Sequence, residues 1–110
     1  MAGSRLNLVA LSLATAILIG EVVLVAFPEA VLAHAARFYL RHGHNTARAL
    51  ELARMEVKNR PTERSFTLLG QAELRSGDAK AAEQAVRKGF ATGARDARLL
   101  FTAARVAAQL

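Results

Sequence analysis

The chain has 110 residues, enough for one small domain, and its alanine-, leucine- and arginine-rich composition with few aromatics favours helix. Cysteine is absent, which excludes a disulfide framework and a thiolate metal site. The net charge of +6 is unevenly placed: Arg5 and Glu21 cancel within residues 1–28, so the whole excess lies in the remainder.

The first element is Leu6–Phe27, "LNLVALSLATAILIGEVVLVAF", apolar throughout apart from Asn7, Ser12, Thr15 and Glu21. A helix of about 20 apolar residues spans a bilayer, so a retained signal anchor over residues 1–28 is the leading reading. A cleaved signal peptide comes next, because Leu8–Ile19 has the length of an h-region and Ala33, His34 and Ala35 fit a small-x-small cleavage pattern. A buried core helix ranks last, since the rest of the chain offers too little apolar surface to cover it. Glu21 is the intramembrane polar residue. It either lies near the headgroups or protonates, and a partner transmembrane helix is the sharper alternative. Arg5 argues for the amino terminus inside, whereas Arg37 and Arg41 pull the other way. The expected location is a single-pass position in a bacterial inner membrane, with the side of the soluble part open.

Beyond the span the chain repeats itself. One constant offset places Leu40 on Leu74, Arg41 on Arg75, Gly43 on Gly77, Ala47 on Ala81 and Glu29 on Glu63. A third copy at the same offset aligns Leu32, Phe66 and Leu100; Ala36, Gly70 and Ala104; and Arg37, Gln71 and Arg105. The start and stop signals keep the same period. Pro28 opens a helix that ends at Gly43, and Asn45 caps one to about Lys58. Thr62 caps a helix to about Ser76, Gly77 ends it, and Asp78 caps the next to about Phe90. Gly93 and Asp96 repeat the pattern before a last helix. The expectation is five short helices joined by short loops, in units 29–61, 62–95 and 96–110 of a domain spanning 29–110.

Phe66, Leu69-Gly70, Gly77 and Ala82, with Tyr39, Gly43 and Pro61 in the first copy, resemble the tetratricopeptide repeat. The departures are Glu73, where that family prefers Tyr, Ala94, where it prefers Pro, and Ala49, one residue late. The resemblance implies an all-α fold, an N-terminal transmembrane or signal helix followed by a short α-solenoid of helical hairpins. Tyr39, Gly43, Phe66, Leu69, Gly70, Gly77, Ala82 and Leu100 would be the repeat-packing residues. It also implies that first helices line a concave face, on which Arg37, Arg41, Arg64, Gln71, Arg75, Arg98 and Arg105 would lie. Gly70, within a helix, is expected where the second helix of its own hairpin comes too close for a side chain. Gly77 is expected in the left-handed conformation.

An arginine ladder suits an acidic peptide, a C-terminal carboxylate or anionic lipid. The function expected is therefore a scaffold or adaptor at a membrane. The alternatives are an accessory subunit of a membrane complex held through its first helix, and a basic peripheral protein of anionic membranes or nucleic acid. The sequence shows no aromatic-basic interleaving, zinc pattern or recognition-helix motif, so nucleic acid is not the expected partner. His42 and His44 flank a turn glycine and, even with His34, lack acidic or thiol companions, so a helix-end histidine rather than a metal ligand is the expected reading. With no phosphate loop or nucleophile–base set visible, neither an enzyme nor a cofactor is expected. In the last helix Leu99, Leu100, Phe101 and Val106 spread apolar surface over more than one side, to be covered by a partner, by self-association or by further residues.

Overall fold

The computed structural model describes residues 13–19, 21–22, 28–42 and 45–110, with side chains in the last two segments described from Val31 and Asn45 onward. Every regular element among them is a helix, and contacts divide the chain into two compact units, Met1–Val31 and Leu32–Leu110. In the first unit residues 13–19 and 21–22 are helical, with Leu18, Ile19 and Val22 exposed and Glu21 half-buried. Among the described residues no helix is long and apolar enough to cross a membrane. Most of the span expected over residues 6–27 lies outside them, as do Gly43 and His44.

The helices are α1 (Pro28–His42), α2 (Thr46–Asn59), α3 (Glu63–Arg75), α4 (Ala79–Ala91) and α5 (Ala97–Gln109). Each of the last four starts where a side chain accepts an otherwise orphaned backbone N–H. Asn45 accepts from Arg48 N at 3.0 Å, Asp78 from Ala81 N at 3.0 Å and Asp96 from Arg98 N at 2.7 Å. Thr62 forms a reciprocal box with Ser65, accepting from Ser65 N at 3.2 Å while its own N–H donates to Ser65 Oγ at 2.9 Å. Gly77, at φ +84°, lets α3 stop: its N–H donates to Leu74 O at 3.0 Å, and Asp78 N–H donates to Glu73 O at 2.9 Å. The helix starts keep one spacing to within a residue, from Thr46 to Ala79 for α2 and α4 and from Glu63 to Ala97 for α3 and α5.

The spacing of buried positions shows what each helix faces. On α2 they are Ala49, Leu52, Ala53 and Glu56, and on α4 Ala82, Ala85, Val86 and Gly89, in both cases the single stripe of a one-sided helix. α3 is different: Ser65, Thr67, Leu68, Gly70, Ala72, Glu73 and Leu74 wrap most of its circumference. It is the central helix, in contact with α2, α4 and α5, while α4 also touches α5. Leu74, Ala82, Val86, Leu99 and Val106 form the core that these last three helices share. Of the expected packing residues there, Ala82 is fully buried, and Phe66 and Leu69 are half-buried. Tyr39 is buried on α1. Leu100 departs from expectation at 48% exposure: α5 buries Leu99, Thr102 and Val106 instead, and Leu100 points off that stripe.

Two glycines sit where helices meet. A Cβ placed on Gly70 would lie 3.4 Å from Val86 Cγ2, 3.5 Å from Thr102 Cγ2 and 3.7 Å from Ala82 O. These are ordinary contacts, so a methyl group fits at Gly70 and anything larger does not. Room for alanine but not leucine agrees with the sequence expectation; what that expectation lacked is that α5, through Thr102, meets Gly70 as well as the hairpin partner α4. The tighter site is Gly89, where a Cβ would fall 2.9 Å from Cδ1 of Leu99, itself fully buried.

Gly70→Ala is therefore expected to leave stability unchanged or raise it by up to about 1 kcal/mol through helix propensity. Gly70→Leu should lose roughly 1–3 kcal/mol to overpacking, and Gly89→Ala should lose about 1 kcal/mol because crowding of Leu99 outweighs the propensity gain. Urea denaturation of the three variants checks this order.

Candidate functional site

The second unit carries an open groove of about 880 Å³. Its walls come from three alternate helices. α1 supplies His34, Arg37, Leu40 and Arg41; α3 supplies Glu63, Arg64, Thr67, Leu68, Gln71 and Arg75; and α5 with its cap supplies Asp96, Arg98 and Arg105. All seven residues for which the resemblance implies a concave face, Arg37, Arg41, Arg64, Gln71, Arg75, Arg98 and Arg105, line this one groove.

Helical spacing explains the convergence. Arg37 and Arg41 are one turn apart on α1, Gln71 and Arg75 one turn apart on α3, and Arg98 and Arg105 two turns apart on α5, so each set shares a helix face. Contact between α3 and α5 brings two of those faces edge to edge. Their link at the groove is Gln71 Nε2, which donates to Thr102 Oγ1 at 3.4 Å, while the Thr102 hydroxyl donates back to Arg98 O at 2.7 Å. Thr102 is thus held from both sides although it is buried at 1% exposure.

The electrostatics are one-sided. Six arginines line the groove against two carboxylates, Glu63 and Asp96, and Asp96 is occupied in capping α5. Among the described residues none of the six arginines forms an ion pair. The ion pairs there, Arg48–Glu51 at 3.0 Å and Arg87–Glu83 at 2.8 Å, lie within α2 and α4 instead. Helices α1, α3 and α5 thus present unneutralised guanidinium groups to one volume, a field that concentrates anions. Each guanidinium can offer two parallel N–H donors to a carboxylate or phosphate.

The other polar features of the sequence fall elsewhere. His42 ends α1 and its ring lies 4.6 Å from that of Phe38. Among the described residues no group of three or more His, Asp or Glu side chains is placed to hold a metal. Comparisons with protein-family models, with curated proteins and with solved structures each returned no match.

In the sequence Glu73 stands out only as a departure from the repeat pattern. The structure buries it at 6% exposure on α3, outside the groove, with Oε2 lacking any hydrogen-bond partner among the described residues. Burial raises its pKa above the ordinary carboxyl value; the nearby Asp78 acts in the same direction, and Arg54 and Lys88 oppose it. An acid whose pKa is raised by folding costs stability once it ionises. The cost is absent where the group is protonated in both states and is complete above the folded pKa. Glu73→Gln should therefore be more stable than the parent at neutral pH, the difference closing as the pH falls below about 4, the range of an unfolded carboxyl. Thermal unfolding across that pH range checks it.

Proposed function

We propose that this chain is a membrane-anchored, tetratricopeptide-like interaction module, a short α-solenoid whose groove holds an acidic segment of a partner protein. The observation that carries the reading is the gathering of six un-ion-paired arginines, drawn from three alternate helices, into one open groove. Arg48 of α2 and Arg87 of α4 stand beside carboxylates of their own helices, whereas the six arginines of the groove share one volume with only Glu63 and Asp96. An acidic peptide supplies the missing counter-charge. An extended backbone lying across α1, α3 and α5 would meet arginine at each helix in turn.

Two further features support the proposal. Helix starts recur at the spacing of that repeat, from Glu63 to Ala97 and, to within a residue, from Thr46 to Ala79, with Gly77 in the left-handed conformation the turn requires. The apolar run over residues 6–27 supplies a segment of spanning length, so the module would act at a membrane surface. The groove gathers donors of fixed charge, which suits it to hold an anionic segment.

The test uses the full chain in detergent and a fluorescent glutamate-rich peptide. Reversal of Arg41 and Arg75 to Glu should weaken binding at least about tenfold, a loss of about 1.4 kcal/mol. Reversal of Arg87 on α4 should change it less than about twofold, and salt should weaken the parent's binding. Equal affinity of the groove and α4 variants would contradict the reading.

A further inference from the structure

α5 has three surfaces. Leu99, Thr102 and Val106 are buried, and Arg98 and Arg105 turn to the groove. What remains is a continuous exposed face of Ala97, Leu100, Phe101, Ala104, Ala107 and Ala108, without a polar side chain, on which Phe101 is 66% exposed. One repeat earlier the corresponding face is covered. Gly70 and Leu74 are the counterparts of Ala104 and Ala108 there, both are buried, and α4 lies over Gly70 through Ala82 and Val86. The face of α5 is thus the continuation of an internal helix–helix interface, with no covering helix among the described residues.

We infer that this face is covered by α5 of a second copy of the chain, lying antiparallel about a twofold axis at Ala104. The residue pattern is self-complementary in that register. Leu100 meets Ala108 of the second copy and Phe101 meets its Ala107, so every large side chain lies over a small one. Ala104 meets itself at the axis, where a methyl group lets the backbones approach. Parallel pairing would instead set Leu100 and Phe101 against their own copies.

The helix dipole favours the antiparallel arrangement. α5 has no basic residue in its last turn to offset its carbonyl dipoles. Antiparallel pairing brings Arg98 of the second copy alongside that turn. A twofold axis normal to both helices also keeps the two arginine grooves on the same side of the dimer. Arg105 of each copy then flanks the axis, a like-charge repulsion that salt relieves. Burial of the apolar face carries the association, so salt should leave it standing where peptide binding in the groove weakens. The two interactions are separable for this reason: failure of one leaves the other standing.

Cysteine is absent from the chain, so single introduced thiols report the geometry directly. The experiment uses the full chain in detergent under mild oxidation. Ala104→Cys should form a disulfide-linked homodimer, and a mixture of Leu100→Cys and Ala108→Cys chains should link to one another. Ala91→Cys, exposed on α4, should remain monomeric. Adding Phe101→Glu to Ala104→Cys should reduce linkage at least about tenfold, with helix content by circular dichroism retained. Linkage at Ala104 no faster than at Ala91 would overturn the inference, since a dimer held through the N-terminal segment alone gives that result. Linkage that survives Phe101→Glu, or transfer of the Ala104→Cys disulfide to a different protein, would overturn it as well.

Discussion

The close approach of α4 to α3 and α5 is the constraint on which the rest of this structure depends. α4 has one apolar stripe, Ala82, Ala85, Val86 and Gly89, and small residues make up most of it. Small residues let helix axes come near one another but contribute little area each, so α4 is held by the fit of its neighbours more than by its own bulk. Val86 lies over Gly70, and Leu99 fills the space that the absent side chain of Gly89 leaves. The same contact fixes Leu74 and Val106 into one core with them. Loosening it at either glycine would disturb three helices together.

The position of α4 also determines where charge accumulates. α4 packs against both α3 and α5, which also meet each other at Gly70 and Thr102, and residues of both turn toward the same volume as those of α1. Arginines that are unremarkable one by one thereby become a cluster. The Gln71–Thr102 contact ties the two helices at that point, so the separation of Arg75 from Arg98 and Arg105 is set by backbone packing and not by the arginines themselves. In such an arrangement the cost of gathering like charges is met by folding, so an acidic segment of the kind proposed would meet a preorganised set of donors.

Much of this was legible in the sequence, for identifiable reasons. Asn45, Thr62, Asp78 and Asp96 announce helix starts because a capping side chain acts within three residues of itself, and all four cap as read. Gly77 was legible because a chain reversal there requires positive φ. The groove residues were anticipated through the resemblance to the tetratricopeptide repeat, which implies the first-helix face they would share; helical spacing says only that they share a face, not which neighbour it meets. What was hidden depends on contacts distant in sequence. Gly89 looks like any glycine near a helix end until Leu99 is seen against it. Glu73 carries no sign of burial in the sequence, since the desolvation that raises its pKa comes from the packing of helices around α3. Leu100 and Leu99 are adjacent and identical, and only the rotation of α5, set by α3 and α4, buries one and exposes the other.

The central claim is that α1, α3 and α5 form one anion-binding face and that α2 and α4 stand behind it. Backbone chemical-shift mapping of the isotopically labelled full chain, titrated with a glutamate-rich peptide, addresses it most directly. The account predicts that the perturbed amides trace a path through Arg41, Gln71, Arg75 and Arg105, with Glu51, Glu83 and Arg87 unmoved. Shifts that centre on α2 or α4, or that spread evenly over all basic residues, would contradict it.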